Sequence, residues 1–355
     1  MTPRPPLVSL PPDARLLFRA PNWIGDTVMA LPALVALRRA WPDAHIAVTT
    51  RRAALSVLER HPAASDLIEL PSRRDRDREV VRRLAGEGYH ATLLLSPSFR
   101  SAYQAWRARI PVRVGFAGQM RGTLLTHAVG QRWGRPAAHQ VREYLDLAEA
   151  LGGDPEEEPL PRMEPDARHV AVADRIREDI PAPLSRVVGI APFPAGGPTK
   201  RWPLPHVRRL IGLLSQRGLL PVVFGGPGDG RRARRLLAPF EDLRRTPKAL
   251  ALAGRDTVPL LPLAVLARRI PVLVSVDTGP MHAWAAGGGR VVAIFGSSLP
   301  GLHGPLGEGH RVLHRGDLPC AGCYHRSCPH GLECLEGIPV EAVLEAVLDV
   351  VDDGT

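Results

Sequence analysis

The stretch LLFRAPNWIGDTVMALPALVALRRAW, residues 16–41, decides how the first half of the chain is interpreted. Its first residues, Leu16–Ala20, are mostly apolar and predict a short buried strand. A turn over Pro21–Gly25 follows, and the spacing of apolar residues over Asp26–Trp41 is typical of an amphipathic helix. A second apolar run, His45–Thr50, predicts the next strand. Two strands joined through a helix are expected to pair in parallel.

The same alternation continues along the chain. Further strands are predicted over Thr92–Ser96, Arg113–Phe116, Val187–Ala191, Leu219–Phe224, Pro271–Val276 and Arg290–Phe295, with helices over His206–Arg217 and Thr257–Arg269. This pattern predicts an α/β fold of two Rossmann-like domains whose parallel sheets face a central cleft. In such sheets ligands bind at the carboxyl ends of the strands, so the loops that follow strands are the candidate sites.

The length and charge of the chain divide it into regions. It has 355 residues and a formal net charge of +10, and a chain of this length is expected to form about two domains. Residues 1–142 are strongly basic, with 22 arginines against 10 acidic residues. The run GGDPEEEP at residues 152–159 is typical of a joint between domains. We therefore predict an N-terminal domain over residues 1–165, a C-terminal domain over 166–337 and a terminal helix over 338–355.

The sequence contains no apolar segment that predicts a membrane-spanning helix, and its proline-rich start has no apolar signal region. We expect a cytoplasmic protein with reduced thiols. Closely spaced thiols can hold zinc, but the spacing here departs from the usual paired motif, so free or packed thiols are the alternative. The four cysteines concerned are Cys320, Cys323, Cys328 and Cys334.

The loop at residues 192–203, PFPAGGPTKRWP, has the composition of an anion site. Gly196 and Gly197 allow backbone N–H groups to approach an anion, while Thr199 offers a hydroxyl and Lys200 a positive charge. Lys200 is one of only two lysines among 46 basic residues, which suggests a compact point charge at this place. A solvated basic turn is the alternative interpretation.

The segment VSVDTGPMHAWAAG, residues 274–287, combines a strand end with the start of a helix. Thr278 and Gly279 place N–H donors at a helix N-terminus, which suits a diphosphate. Asp277 is interpreted as an acceptor for a sugar hydroxyl or as a helix cap. His282 lies about one turn into the helix, where a structural role is the alternative.

Two further aspartates follow predicted strands. Asp26 is interpreted either as the N-cap of the first helix or as a general base that accepts a hydroxyl proton. Asp229 follows a glycine-rich turn and is a weaker candidate, for contact with ribose hydroxyls.

Three motifs in a fixed order carry a family resemblance. PNWIGD at residues 21–26, TKRWP at 199–203 and DTGPMH at 277–282, followed by AIFG at 293–296, resemble the lipopolysaccharide heptosyltransferases of glycosyltransferase family 9. Members that add the second inner-core heptose look nearest. The resemblance implies a GT-B fold and an inverting transfer from ADP-heptose, with no required cofactor and no catalytic metal.

The resemblance also implies roles for particular residues. In the N-terminal domain it implies a general base and acceptor contacts, which would be Asp26, with Asn22, Trp23 and Gly25 beside it. In the C-terminal domain it implies a donor site in which Lys200 and Thr199 contact the leaving diphosphate. The residues of that site would be Thr199, Lys200, Asp229, Asp277, Thr278, Gly279 and His282.

The implied acceptor, a heptosyl-Kdo-lipid A, carries anionic groups in a membrane leaflet. The arginines of residues 51–52, 73–83 and 100–113 would steer such a lipid, and we expect peripheral contact with the anionic inner face of the inner membrane. Solvated helices are the alternative explanation for this charge. Rival functions are a heptosyltransferase of type I or III and a GT-B sugar-nucleotide epimerase. Nucleic-acid binding is disfavoured, because aromatic residues make up only 5% of the chain.

Overall fold

The protein is described by a computed structural model over residues 8–71, 76–130, 138–156, 159–240, 249–254 and 258–352. The chain divides into two compact units, Met1–Glu164 and Pro165–Thr355. Each unit contains a parallel six-stranded sheet with helices between the strands.

The sheet of the first unit has the strand order β3-β2-β1-β4-β5-β6. Its strands are β1 (Arg15–Arg19), β2 (His45–Thr50), β3 (Asp66–Glu69), β4 (Ala91–Leu94), β5 (Val112–Phe116) and β6 (His127–Val129). The helices are α1 (Ile24–Met29), α2 (Leu31–Ala40), α3 (Arg52–Leu55), α4 (Asp77–Gly86), α5 (Phe99–Arg107) and α6 (Gln140–Ala150).

The sheet of the second unit has the order β12-β11-β10-β7-β8-β9. Its strands are β7 (Val187–Ala191), β8 (Leu220–Phe224), β9 (Leu250–Leu252), β10 (Val272–Val276), β11 (Arg290–Phe295) and β12 (Arg311–His314). The helices are α7 (Ala167–Glu178), α8 (Leu204–Gln216), α9 (Gly230–Leu237), α10 (Leu260–Ala267), α11 (Gly279–Ala286), α12 (Pro300–His303), α13 (Glu333–Glu336) and α14 (Val340–Asp352).

Both sheets have the same topology. If the strands of each unit are numbered from one to six along the chain, both sheets have the strand order 3-2-1-4-5-6. The direction of winding therefore reverses between β1 and β4 in one unit and between β7 and β10 in the other. At such a switch point two loops leave the sheet in opposite directions and open a crevice at the carboxyl ends of the strands. The prediction of two Rossmann-like domains with parallel sheets is confirmed.

The central strands of the second sheet are apolar on both faces. All residues of β7, β8 and β10 are buried, which is expected where helices cover both sides of a parallel sheet. Side chains from α8 and α14 pack on one core of the unit, and those from α10 and α11 on another. Trp202 and Trp284 are among the largest fully buried side chains. The C-terminal helix α14 is thus part of the second unit's packing.

The first predicted helix is divided in the structure. The prediction of one helix over Asp26–Trp41 is wrong, because α1 ends at Met29 and α2 begins at Leu31. Pro32 stands in the first turn of α2. Proline has no N–H and its ring clashes with the preceding turn, so it is tolerated at the start of a helix but interrupts a continuous one.

Other elements differ from the predictions mainly at their ends. β2, β7 and β11 have the predicted bounds, while α8 begins two residues before the predicted His206. The helix predicted over Thr257–Arg269 is observed as the shorter α10, and Thr257 lies outside the described residues. Within the described part of the chain, no helix has the length and apolar character needed to cross a membrane.

Candidate active site

The strongest cluster of the second unit joins two loops at its switch point. Lys200 follows β7 in a short 3-10 turn, and Asp277 comes directly after β10, the neighbouring strand. The Nζ atom of Lys200 lies 2.5 Å from Oδ2 of Asp277, although the residues are 77 positions apart in the sequence. Asp277 is 7% exposed and Lys200 is partly exposed. The loop prediction therefore placed both residues at the correct edge of the sheet.

Two more side chains surround the Asp277 carboxylate. The hydroxyl of Ser298, in the loop after β11, donates a hydrogen bond to Oδ2 over 2.5 Å. Nε2 of His282, in α11, lies 3.9 Å from Oδ1. Burial disfavours the charged form, but the His282 ring and the Lys200 ammonium together outweigh burial and hold the pKa of Asp277 well below its usual range. The carboxylate is therefore ionised at neutral pH.

Two glycines shape the turn that carries Lys200. Gly197 has a φ of 107°, a conformation that residues with a side chain rarely adopt. A Cβ at Gly196 would stand 3.2 Å from Cδ of Lys200. Thr199 is buried, and its carbonyl accepts a hydrogen bond from the Ser297 N–H over 3.3 Å. The backbone of Thr199 thus ties this turn to the loop after β11, and a contact of its hydroxyl with phosphate stays a prediction.

The N-terminus of α11 is at the same edge of the sheet. Thr278 is the N-cap residue of α11 and Gly279 is its first residue, and both are partly exposed. The Thr278 side chain does not cap the helix. The N–H groups of a first helical turn have no partner within the helix, and they carry a partial positive charge. The edge therefore offers backbone donors next to the Lys200 ammonium.

Asp229 has local partners in the structure. It is the N-cap residue of α9, and its Oδ2 accepts a hydrogen bond from the N–H of Gly226 over 2.9 Å. Oδ1 lies 3.3 Å from the guanidinium of Arg232. These bonds stabilise the turn after β8, which neighbours β7 in the sheet. A ribose contact for Asp229 stays a prediction.

Asp26 lies near the carboxyl end of β1 in the first unit. It is in the first turn of α1 and is partly buried. The N-cap residue is Trp23, so the interpretation of Asp26 as the N-cap is wrong. Hydroxyls of Thr27 and Thr50 both donate to the carbonyl of Pro21, which holds the turn before α1 to the end of β2. The switch point of this sheet therefore carries the Asp26 carboxylate next to a turn that side-chain hydrogen bonds hold in place.

The other predicted residues of this loop precede Asp26 in the sequence. Trp23 is 58% exposed, Asn22 is partly exposed and Gly25 is within the first turn of α1. Their predicted contact with an acceptor stays a prediction. A buried residue that the sequence analysis missed is Tyr144 of α6: burial, followed by the charge of Asp26, raises its pKa well above the usual range. Nothing in the helical pattern around Tyr144 indicated this proximity.

The four cysteines are all within the described residues, and none forms a disulfide. Cys334 is buried, and Cys320, Cys323 and Cys328 are partly buried. The described part of the chain contains no group of three or more His, Cys, Asp or Glu side chains arranged to hold a metal ion. Burial, followed by the neighbouring thiols, raises the pKa of Cys334. The structural metal site stays a prediction.

Comparison with known proteins decides the family. The sequence profile described as glycosyltransferase family 9 (heptosyltransferase) matches residues 78–333. The chain belongs to glycosyltransferase family 9. This membership confirms the family resemblance and makes the protein a glycosyltransferase. Two of the three motifs, at residues 199–203 and 277–282, lie within the matched range.

Individual family 9 proteins cover nearly the same length. The chain is 28% identical to lipopolysaccharide heptosyltransferase 2 of Salmonella typhimurium over 310 residues, which is 84% of this chain and 87% of the relative. The solved structure of ADP-heptose lipopolysaccharide heptosyltransferase II of E. coli aligns with a TM-score of 0.77 at 24% identity, over 96% of this chain and 99% of that one. A family 9 glycosyltransferase of Veillonella parvula aligns with a TM-score of 0.82 at 22% identity, covering 98% and 99%. These likenesses support the GT-B fold.

Ser298 is a residue of the Lys200–Asp277 cluster that the sequence analysis missed. Its signal was available, because two serines, Ser297 and Ser298, come directly after the predicted strand Arg290–Phe295 and Gly296. Ser298 is fully buried and is bonded to Asp277. Its hydroxyl therefore helps to fix the carboxylate that holds Lys200.

Proposed function

We propose that this family 9 chain transfers a heptose from ADP-L-glycero-D-manno-heptose to the inner core of lipopolysaccharide, in the manner of the type that adds the second heptose. The observation that carries the proposal is the Lys200–Asp277 ion pair beside the N-terminus of α11, at the switch point of the second sheet. A nucleoside diphosphate matches this edge, since a point cation and free N–H groups are the partners that phosphates take in proteins. The name of the Salmonella relative supports the choice of acceptor.

The donor side of the proposal assigns a task to each charged group. Lys200 contacts the diphosphate while Asp277 and Ser298 hold the lysine in place. Oδ1 of Asp277 lies 3.9 Å from Nε2 of His282, and a carboxylate oxygen has lone pairs enough to accept a sugar hydroxyl as well. The first turn of α11 donates N–H groups to phosphate oxygens.

The chemistry is a single displacement in which Asp26 is the general base. An acceptor hydroxyl attacks the anomeric carbon of the heptose, and its proton passes to the Asp26 carboxylate. As the new carbon–oxygen bond forms, the bond between the anomeric carbon and the phosphate oxygen breaks, and the configuration inverts. ADP leaves with growing negative charge. Lys200 and the N–H groups of α11 stabilise that charge, so the proposal needs no divalent metal ion.

The experiment that tests the function incubates the purified protein with ADP-heptose and a panel of inner-core acceptors. We expect release of ADP and formation of a heptosylated product with an acceptor that already carries one heptose. Preference for an acceptor without heptose would indicate type I, and preference for one with two would indicate type III. Conversion of the donor without any acceptor would favour an epimerase. Absence of acceptor-dependent transfer across the whole panel would refute the proposal.

We also propose that the protein acts in the cytoplasm and touches the inner face of the inner membrane through the exposed face of α5. Phe99, Tyr103 and Trp106 follow one another along this face, with ring centroids 6.3 Å and 6.1 Å apart. All three are substantially exposed, whereas the opposite side of α5 is buried. Arg107 and Arg109 are exposed at the end of the helix. Aromatic rings favour the headgroup region of a bilayer, and the arginines complement anionic lipids.

Replacing Tyr103 and Trp106 together by serine is expected to weaken binding to vesicles that contain anionic phospholipid. Each half-exposed ring contributes about 1 kcal/mol on transfer out of water, so the two substitutions should lower the affinity roughly 30-fold. Co-sedimentation with vesicles measures the loss. Val312→Ser removes an exposed apolar side chain from the second unit and is the matched control. Equal sedimentation of the double variant and the wild type would contradict the membrane contact.

A further inference from the structure

Arg19 is a buried cation to which the described residues offer no acidic partner. It is the last residue of β1 and is only 8% exposed. Nη1 donates hydrogen bonds to the carbonyls of Ala20 and Thr49, over 3.0 Å and 3.3 Å, and both terminal nitrogens lie 3.5 Å from Oδ1 of Asn22. Among the residues that the structure describes, Arg19 forms no ion pair, and its buried Nε has no hydrogen-bond partner. A buried guanidinium is ordinarily matched by a carboxylate or a phosphate.

Two more arginines stand at the same edge of the sheet. In the parallel register Arg19 lies opposite Thr49 of β2 and Leu94 of β4. Arg51 comes directly after β2, and Arg100 is the second residue of α5, which follows β4. Burial, followed by the charges of Arg100 and Arg51, lowers the pKa of Arg19 to about 9. Three neighbouring strands thus bring three cations together at their carboxyl ends.

In the described part of the chain, Arg100 forms an ion pair, whereas Arg19 and Arg51 form none. Arg100 pairs with Asp77, with Nε 2.6 Å from Oδ1, and this pair is partly exposed. α5 adds positive potential, because its N-terminus lies at the same edge with Ser98 as the capping residue. An anion bound here would offset the mutual repulsion of the arginines and balance the buried charge of Arg19, whose Nε has no partner among the described residues. The place is also next to Asp26, since Asn22 precedes α1 by two residues and Asp26 is in its first turn.

We propose that Arg19, Arg51 and Arg100 bind an anionic group of the acceptor, a carboxylate or a phosphate, and thereby place the acceptor hydroxyl beside Asp26. This inference rests on the proposed function and identifies the part of the acceptor that the first unit recognises. Arg19, which is buried, orients Asn22 and the turn that precedes α1. Arg51 and Arg100 are more accessible and contact the anion directly. The contrasting explanation is that Arg19 only binds the carbonyl ends of β1 and β2.

Arg51 gives the sharpest test because the first unit also holds an exposed arginine away from this edge. Arg39, near the end of α2 and therefore at the amino side of the sheet, pairs with Asp154 at 3.3 Å. We expect Arg51→Gln to raise the acceptor KM roughly 10-fold or more, the effect of one lost charge-assisted bond, and to leave the donor KM unchanged. Arg39→Gln should change neither value. An acceptor KM of Arg51→Gln equal to that of Arg39→Gln would overturn the proposal.

Chemically altered acceptors identify the recognised anion. In one arm the acceptor carboxylates are reduced to hydroxymethyl groups, and in the other the phosphates are removed. The Arg51→Gln effect should disappear for whichever acceptor lacks the recognised group; persistence of the full effect with both acceptors would contradict direct recognition.

A binding measurement separates this inference from the proposed transfer. Binding of the heptosyl-Kdo-lipid A acceptor is measured by titration without donor, so the result does not depend on turnover. Arg19→Lys keeps the buried charge, and Arg19→Gln removes it. We expect the lysine variant to retain more of the acceptor affinity than the glutamine variant, with similar melting temperatures of the two. Equal acceptor affinities of the two variants and the wild type would show that Arg19 is structural, whereas an inactive wild type that still binds in this pattern would refute only the proposed function.

Discussion

Asp26→Asn is expected to lower kcat by roughly 10²- to 10⁴-fold, the usual contribution of a positioned general base, while ADP-heptose binds as tightly as before. Asparagine has nearly the shape of aspartate but cannot take a proton from the acceptor hydroxyl at neutral pH. The residue lies in the first unit, whereas the proposed diphosphate contacts belong to the second. A lower kcat with unchanged donor affinity is therefore the result expected for a general base.

The structure allows a matched control for this substitution. Asp43 is an exposed aspartate that precedes β2 and therefore lies at the amino edge of the same sheet. Asp43→Asn removes the same charge from the same unit without approaching the carboxyl ends of the strands. Single-turnover kinetics with saturating donor and acceptor, together with donor titration, distinguish the two variants. If Asp26→Asn turned over at the wild-type rate, Asp26 would not be the base.

Stability measurements test whether unfolding, rather than loss of the base, explains the expected fall in kcat of Asp26→Asn. The Asp26 carboxylate acts on the buried Tyr144 of α6, so its removal also changes the interior of the first unit. Loss of a charge beside a buried phenol is not expected to destabilise the fold, because the pKa of Tyr144 is already well above its usual range. The melting temperatures of Asp26→Asn and the wild type should therefore be close. A large fall would assign the loss of activity to unfolding.

The strands that could be predicted from the sequence are those whose apolar run is continuous. β7 and β11 coincide with their predicted bounds because helices bury both faces of a central parallel strand. Such a strand therefore consists of consecutive apolar residues, which the sequence shows directly. β6 and β9 have three residues each, lie at sheet edges and are only partly buried. Such strands form because a neighbouring strand offers its hydrogen bonds, and their own residues carry little signal.

In the candidate site, too, only some features could be predicted from the sequence. Parallel topology brings the loops after β7 and β10 together, so the meeting of Lys200 and Asp277 follows from strand order alone. The Ser298 hydroxyl on Asp277 and the unpaired Nε of Arg19 depend on side-chain geometry. Neither a motif nor a period in the sequence reports such geometry. Sequence reasoning therefore located the edge of the sheet and several of its residues, but not the bonds that fix them.

Lys200→Ala is expected to lower the rate of transfer by roughly 10²- to 10³-fold, because it removes the cation that we propose stabilises the growing negative charge on the leaving diphosphate. Donor affinity should fall as well, since the ground-state diphosphate also loses this contact. Lys200→Arg keeps the charge but replaces a compact ammonium by a planar fork, so we expect only partial recovery of the rate. Wild-type kinetics in Lys200→Ala would place the residue outside the donor site.

The same substitution has a consequence for stability that depends on pH. The pKa of Asp277 in the folded chain lies below its ordinary value of 3.8, so ionisation of Asp277 stabilises the fold above that pH and ceases to do so as the pH falls through the folded value. Without the ammonium, the pKa of Asp277 should rise and part of this stabilisation should be lost. Allowing for the partial exposure of Lys200, we expect a loss of about 1–3 kcal/mol in the free energy of unfolding at pH 7. The loss should diminish below about pH 4, where the unfolded chain is protonated.

A double variant separates the two roles of Lys200. In Lys200→Ala with Asp277→Asn no buried charge is left unpaired, so the free energy of unfolding at pH 7 should recover most of the loss. The rate of transfer should stay low, because the leaving diphosphate still lacks its cation. Denaturant unfolding and single-turnover kinetics on the wild type, both single variants and the double variant complete the cycle. Recovery of the rate together with stability would mean that Lys200 serves only to neutralise Asp277, and the positive charge at the diphosphate would then have to come from the N-terminus of α11 alone.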